Sequence, residues 1–197
     1  MFEIPQPSMA LNSHNVPPPD YRMWNTRKVD KDVQPSDLLN NIASVAESAT
    51  GGYLRCLVFN SHGSPGHLGM GTGIGLGDTN LFSALQGKVR TIVIVACEVA
   101  YIGDNRTCSA TLNAWQNGDR FCREIAQSSQ AYVFASTDLQ NPGAYYILGL
   151  PLNCVDEYEG DVYRWAPKDG SCRQVDNGYI TRWMLNMKIG RNPQEWK

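Results

Sequence analysis

Long apolar runs, a surplus of charge and metal-ligand spacing are all missing from this chain. Its longest apolar stretches fall far short of the ~20 residues that carry a helix across a bilayer, so no membrane partner is expected. The start, Met1-Phe2-Glu3-Ile4-Pro5, has neither the basic region nor the apolar core of a signal peptide. A cytoplasmic chain at synthesis is expected, with export by a route that leaves no N-terminal mark still open. Charged residues make up 18% and the formal net charge is -2, which gives no electrostatic footprint for nucleic acid. The three histidines and six cysteines contain no C-x-x-C or H-x-x-x-H pair, which argues against a metal site. The glycines show neither the G-x-G-x-x-G register nor G-K-[ST], so a phosphate loop is disfavoured and no cofactor is expected. No internal repeat is present.

What remains is a chain of 197 residues with 42% hydrophobic content, enough for one sizeable core. Residues 1–35 hold Pro5, Pro7, Pro17, Pro18, Pro19 and Pro35 with few apolar clusters and read as an extended arm, with at most a short strand near Tyr21-Arg22-Met23-Trp24. Residues 36–197 form the domain. Ser36 heads an amphipathic pattern through Leu38, Leu39, Ile42, Val45 and Ala46 that stops at Gly51-Gly52, a helix by spacing and caps. Three apolar runs follow: Cys56-Leu57-Val58-Phe59, Thr91-Ile92-Val93-Ile94-Val95 and Ala131-Tyr132-Val133-Phe134-Ala135. Unbroken β-branched runs suit strands buried on both faces of a parallel sheet. Asp78 heads a short helix through Leu81, Phe82 and Leu85, and Trp115, Phe121, Cys122, Ile125 and Ala126 mark another. The alternation of strand and helix is that of a layered α/β sheet. Residues 161–165 and 171–175, joined across Asp169-Gly170, read as a hairpin.

The first two apolar runs end in reactive residues, Ser61-His62-Gly63 and Ala96-Cys97-Glu98. In parallel sheets ligands bind beyond the carboxyl ends of the strands, which is where both pairs emerge. A cysteine attacks as its thiolate and the intermediate's oxyanion needs donors. His62 can serve as general acid and base, while the N–H groups of Gly63, which has no side chain, and of Cys97 can hold the oxyanion.

The apolar block with His62-Gly63-Ser64-Pro65-Gly66, followed about 35 positions later by one ending Ala96-Cys97-Glu98, resembles the caspase-like (clan CD) cysteine peptidases. The wording is closest to legumain-like and bacterial caspase-like domains. The resemblance covers roughly residues 53–136 and implies a caspase-like layered sandwich with a mostly parallel sheet, a His62/Cys97 dyad, and peptide-bond cleavage without metal or organic cofactor. It also implies that the chain after the next strand, Ser136-Thr137-Asp138, lines the pocket for the substrate residue before the scissile bond. Asp138 there would favour Lys or Arg; as an ordinary strand-end Asp it would brace a turn. Two departures stand out. The family has two strands and a helix before the histidine strand, where this sequence shows one helix and a doubtful strand. Caspases proper carry glycine two positions after the nucleophile, where this chain has Val99.

The expected function is therefore a thiol endopeptidase acting on a protein or peptide substrate, subject to an activator or inhibitor protein, and compatible with a bacterial effector or toxin. The alternatives are a non-catalytic module that holds a protein partner with the Gly66–Gly77 ribbon, and acyl transfer to another acceptor by the same dyad. In the blander readings Cys97 ends a core strand as a small hydrophobe, Glu98 is a solvated carboxylate, and the aromatic residues of the final third cover the sheet. Without a secretory leader reduced cysteines are the expectation, while Cys108, Cys122, Cys154 and Cys172 are an even set that could bridge if the protein is exported; the sequon Asn105-Arg106-Thr107 is expected to be accidental.

Overall fold

Apolar runs without polar alternation need cover on two faces, and the chain supplies it. The computed structural model describes residues 1–102, 117–140 and 151–191. The elements run β1 (Phe2–Glu3), β2 (Ser8–Ser13), β3 (Asn25–Val29), α1 (Pro35–Ser48), β4 (Leu54–Asn60), β5 (Gly63–Ser64) and β6 (His67–Leu68). A 3-10 helix (Leu76–Leu85), β7 (Val89–Val95), α2 (Gly118–Ser129) and β8 (Tyr132–Ser136) follow. The described chain closes with β9 (Cys154–Val155), β10 (Val162–Trp165), β11 (Cys172–Val175) and α3 (Asn177–Lys188).

Among the described residues seven strands form the central sheet, in the order β11-β10-β8-β7-β4-β2-β3. The five from β3 to β8 are parallel, while at one edge β10 pairs antiparallel with β8 and β11 antiparallel with β10. Side chains alternate across a strand. Leu57, Phe59, Ile92, Ile94 and Val133 therefore pack in one core with α1, the 3-10 helix and α2. Cys56, Val58, Val93 and Phe134 pack in a second core with Ile180, Trp183 and Met184 of α3. The molecule is a mixed α/β layered fold with a mainly parallel sheet. Among the described residues no helix is long and apolar enough to cross a membrane.

The first 35 residues are extended, as expected, but they are no arm. β2 and β3 pair in parallel with each other, and β2 with β4, so the N-terminal segment completes the sheet. Its polar letters concealed this. Ser8, Asn12 and Ser13 are fully buried, and each is satisfied internally. The Ser8 hydroxyl donates to the Pro5 carbonyl and accepts from the Cys56 N–H at 3.0 Å. The Asn12 amide brackets Tyr21, donating to its carbonyl and accepting its N–H, both at 2.9 Å. The Ser13 hydroxyl is shared by Asn15 and Gly69. Residues read as turn formers can fill a central strand when their hydrogen bonds close locally. The short strand expected near Tyr21-Trp24 lies a few residues later, at β3, on the sheet edge.

Other expectations hold with shifted boundaries. Helix α1 begins at Pro35, with Gln34 rather than Ser36 as its N-cap; proline suits a first helical position, whose N–H would be unbonded anyway. Asp78 accepts the Gly75 N–H at 2.9 Å, at the start of the 3-10 helix. The β10–β11 hairpin pairs Val162 with Val175 and Trp165 with Cys172. Cys56, Cys97, Cys122 and Cys154 are free thiols, but Cys172 is disulfide-bonded, which corrects the reduced state expected for it and takes the bridged alternative. Cys108, Trp115, Tyr145, Tyr146 and the 105–107 sequon lie outside the described residues.

The cores hold groups that resist ionisation. Burial pushes the thiols of Cys56 and Cys122 and the hydroxyls of Tyr21 and Tyr158 well above their ordinary values. Each keeps its proton in the folded chain, while the unfolded chain loses it above about pH 8.5 for thiols and about pH 10 for phenols. Their contribution to stability is thus fully present below those values and falls as pH rises, by up to about 1.4 kcal/mol per pH unit for each group. Urea midpoints measured from pH 7 to pH 11 are expected to be level at first and to drop steeply beyond about pH 9; a flat profile would contradict this account of the cores.

Candidate active site

Strands β4 and β7 are parallel neighbours whose last residues, Asn60 and Val95, face each other. The chain therefore leaves both strands at one edge of the sheet, carrying Ser61-His62 from one and Ala96-Cys97 from the other. A final ladder bond, Ser61 N–H to Val95 carbonyl at 3.2 Å, locks them in step. Gly63 then runs directly against the cysteine segment: a Cβ on it would lie 2.7 Å from the Cys97 carbonyl oxygen, 2.9 Å from Ala96 Cβ and 3.3 Å from the Cys97 nitrogen. Only a residue without a side chain permits that approach. The N–H groups proposed as oxyanion donors thus belong to backbones in contact.

The His62 ring is exposed at the cleft, with Nε2 3.1 Å from the carbonyl oxygen of Asn15. A carbonyl only accepts, so the neutral ring carries its proton on Nε2 and keeps a lone pair on Nδ1. The sulfur of Cys97 is half-buried. It accepts the Gln140 N–H at 3.4 Å and lies 3.7 Å from the Gln140 carbonyl, and the first of these contacts strengthens as sulfur gains charge. Immediately after it, Glu98 takes a left-handed backbone (φ 51), uncommon for a residue with a side chain. The bend is held from β8: Glu98 N–H donates to the Asp138 carbonyl at 3.1 Å and Ala100 N–H to the Ser136 carbonyl at 3.2 Å.

Ser136, Thr137 and Asp138 accordingly have a different placement from the expected pocket wall. The Ser136 hydroxyl reaches the carbonyls of Glu159 and Asp161. The Asp138 carboxylate accepts from the Thr137 hydroxyl and the Asp161 N–H, both at 2.8 Å. None of the three lines the cleft that holds His62 and Cys97; they brace the segment that follows Cys97, the turn role weighed for Asp138.

The cleft wall comes from elsewhere. The loop after β2 contributes Val16, Pro17, Pro19 and Tyr21, the strand ends contribute Asn60, Ser61 and Val95, and Gln140, Asp156 and Glu157 close it. The Pro17-Pro18-Pro19 run was the available signal, a stiff loop placed at a strand's carboxyl end; nothing local marked Asn15 or Asp156. The glycine-rich ribbon is fastened down, with Leu68, Met70 and Ile74 fully buried and Gly69 N–H donating to the His62 carbonyl at 2.8 Å. His67 lies against Gly73 and Gly75 of that ribbon rather than on the cleft wall. Among the described residues no group of His, Cys, Asp and Glu could hold a metal ion. No protein-family model matches the chain, and a search of the curated proteins finds no matching sequence.

Proposed function

We propose that this chain is a cysteine endopeptidase of the caspase-like kind, with Cys97 as nucleophile and His62 as general acid and base. The observation that carries the reading is the contact of Gly63 with the Cys97 backbone, which brings the histidine and cysteine turns together over one cleft at the carboxyl ends of neighbouring strands. The order of elements supports it: β2, β3 and α1 stand before the histidine strand, the two strands and a helix that the resemblance calls for. Val99 is fully buried and remains a departure, so caspase specificity is not carried over.

In this mechanism the Cys97 thiol gives its proton to His62 Nδ1 as sulfur attacks the peptide carbonyl. The Gly63 and Cys97 N–H groups receive the oxyanion. His62 returns the proton to the leaving amine, and water, deprotonated by the same imidazole, cleaves the thioester. The Asn15 carbonyl fixes the ring's tautomer and orientation throughout.

Thiol alkylation separates this reading from a binding module on the same fold. With iodoacetamide at neutral pH and peptide mass spectrometry, Cys97 is expected to react first. Half-buried Cys154, its thiol raised by burial, should follow slowly, with Cys56 and Cys122 protected in the core. His62→Ala is expected to slow Cys97 by about tenfold. A Cys97 rate indifferent to His62 would favour the binding module.

A further inference from the structure

We infer that the corner of the molecule built by β10, β11 and α3 is a docking surface for an acidic segment of a protein partner, one carrying Asp or Glu beside aliphatic side chains. The inference goes beyond the peptidase reading and does not rest on it, since no residue of this corner lines the cleft of His62 and Cys97.

Three arginines meet there without a carboxylate among the described residues to pair with them. Arg164 and Arg173 are direct cross-strand partners, so their side chains leave the same face of the sheet, and like charges set opposite each other repel. Tyr179 of α3 serves both. Its ring centroid lies 5.9 Å from the Arg164 guanidinium and 5.6 Å from that of Arg173, and its hydroxyl accepts from Arg164 at 2.7 Å. The Arg164 guanidinium also lies 5.3 Å from the Tyr132 ring and 5.6 Å from that of Trp183. Arg182, exposed on α3, lines an open pocket with Tyr179, Trp183 and Asn186. The acidic residues nearby in sequence serve other donors: Asp161 accepts from the Gln174 amide, Asp169 from the Ser171 N–H and Asp176 from the Tyr179 N–H. Ring faces answer a cation only in part, so the corner keeps a net positive field. Arg164 is half-buried while Arg173 and Arg182 are exposed, which puts two of the three charges within reach of a partner and leaves the third less screened by salt.

A second observation selects a protein as the occupant. Leu185 and Ile189 are 57% and 59% exposed, and with Arg182 and Asn186 they follow the i, i+3, i+4, i+7 spacing that places residues on one face of a helix. A single exposed aliphatic side chain is ordinary, but these two, one turn apart, continue a cationic surface. The arginine fork matches a carboxylate in bidentate geometry, and aliphatic side chains on the partner would cover Leu185 and Ile189. Nucleic acid offers phosphates to the arginines but little aliphatic surface to the helix stripe, and the chain's net charge of -2 gives it no long-range attraction. A basic segment would meet like charge and be rejected.

The test reads fluorescence anisotropy of three labelled probes with the full chain: a peptide in which Glu and Leu recur at helical spacing, its counterpart with Gln for every Glu, and a single-stranded oligonucleotide. The Glu peptide is expected to bind at least about tenfold more tightly than the Gln peptide, with an advantage that shrinks as salt is raised. Charge reversal in the Arg173→Glu, Arg182→Glu double variant should remove most of that advantage, and Leu185→Ser with Ile189→Ser should weaken both peptides; all four side chains are exposed, and a thermal melt checks that each variant stays folded. Prior alkylation of Cys97 should leave the affinity of the Glu peptide unchanged. Equal binding of the two peptides by the unmodified protein overturns the inference and requires no variant to fold. An advantage that survives charge reversal, or is lost on alkylation of Cys97, puts the peptide elsewhere and overturns it too. Tighter binding of the oligonucleotide than of the Glu peptide would replace the protein partner with a nucleic acid. None of these outcomes bears on whether Cys97 cleaves, which the dependence of its alkylation on His62 decides separately.

Discussion

Cys97→Ala is expected to abolish peptide cleavage while the protein stays folded. The two halves of this expectation have separate physical grounds. In the proposed mechanism the sulfur is the group that forms the covalent intermediate, and alanine offers no substitute, so no turnover through that route would remain. The same sulfur is half-buried at a strand end and touches the backbone of Gln140 rather than filling either core. Its removal should therefore cost about 1 kcal/mol or less and move Tm by only a few degrees. His62→Ala belongs to the same experiment with a smaller effect, a loss of about 10²- to 10⁴-fold, the usual share of a positioned acid and base. The measurement is incubation of each protein with a proteome extract, followed by mass spectrometry of new peptide N-termini and a thermal melt. Equal cleavage by the Cys97→Ala protein would end the case for this nucleophile. A melt lowered by many degrees would instead identify Cys97 as a packing residue.

The placement of His62 and Cys97 together at the ends of neighbouring strands was legible because two unrelated signals coincided on it. An apolar run long enough to be a buried strand fixes where its last residue emerges, and parallel pairing of β4 with β7 puts His62 and Cys97 at the same edge. The first two strands were not legible, since β2 hides Ser8, Asn12 and Ser13 in the sheet by bonding them to Pro5, Tyr21, Asn15 and Gly69. Those partners are set by tertiary placement, and polar residues among prolines look like loop. The same blindness affected the cleft. Asp138 could be assigned to a strand end but not to a direction, and its carboxylate turned toward Thr137 and Asp161. Asp156 follows a two-residue strand, β9, that pairs with the equally short β1, too short a pattern for periodicity to detect. Contacts made by backbone carbonyls, such as Asn15 on His62, leave no mark on residue identity at all.

Gly63→Ala is the sharper probe of the site's geometry, because it adds one methyl group and removes nothing. The new carbon would meet the Cys97 carbonyl oxygen at 2.7 Å and Ala96 Cβ at 2.9 Å. Neither is the end of a flexible side chain, so the two turns must move apart. Ala96 is itself buried and Ser61 is tied to Val95, which leaves displacement of the Cys97 segment as the relief. A shift of about 1 Å at a reacting group costs about 10²-fold in rate, and overpacking a site of this kind costs about 1–3 kcal/mol. Gly63→Ala is thus expected to lose about 10²-fold in kcat/KM with a moderate fall in the urea midpoint. Gly77→Ala is the matched control, since a Cβ there meets nothing within 4 Å, and it should be neutral or slightly stabilising. Loss of stability without loss of rate would mean that the contact only packs the domain. Loss of rate beyond what the unfolded fraction explains would tie the spacing of the two backbones to catalysis, as an oxyanion hole shared by Gly63 and Cys97 requires.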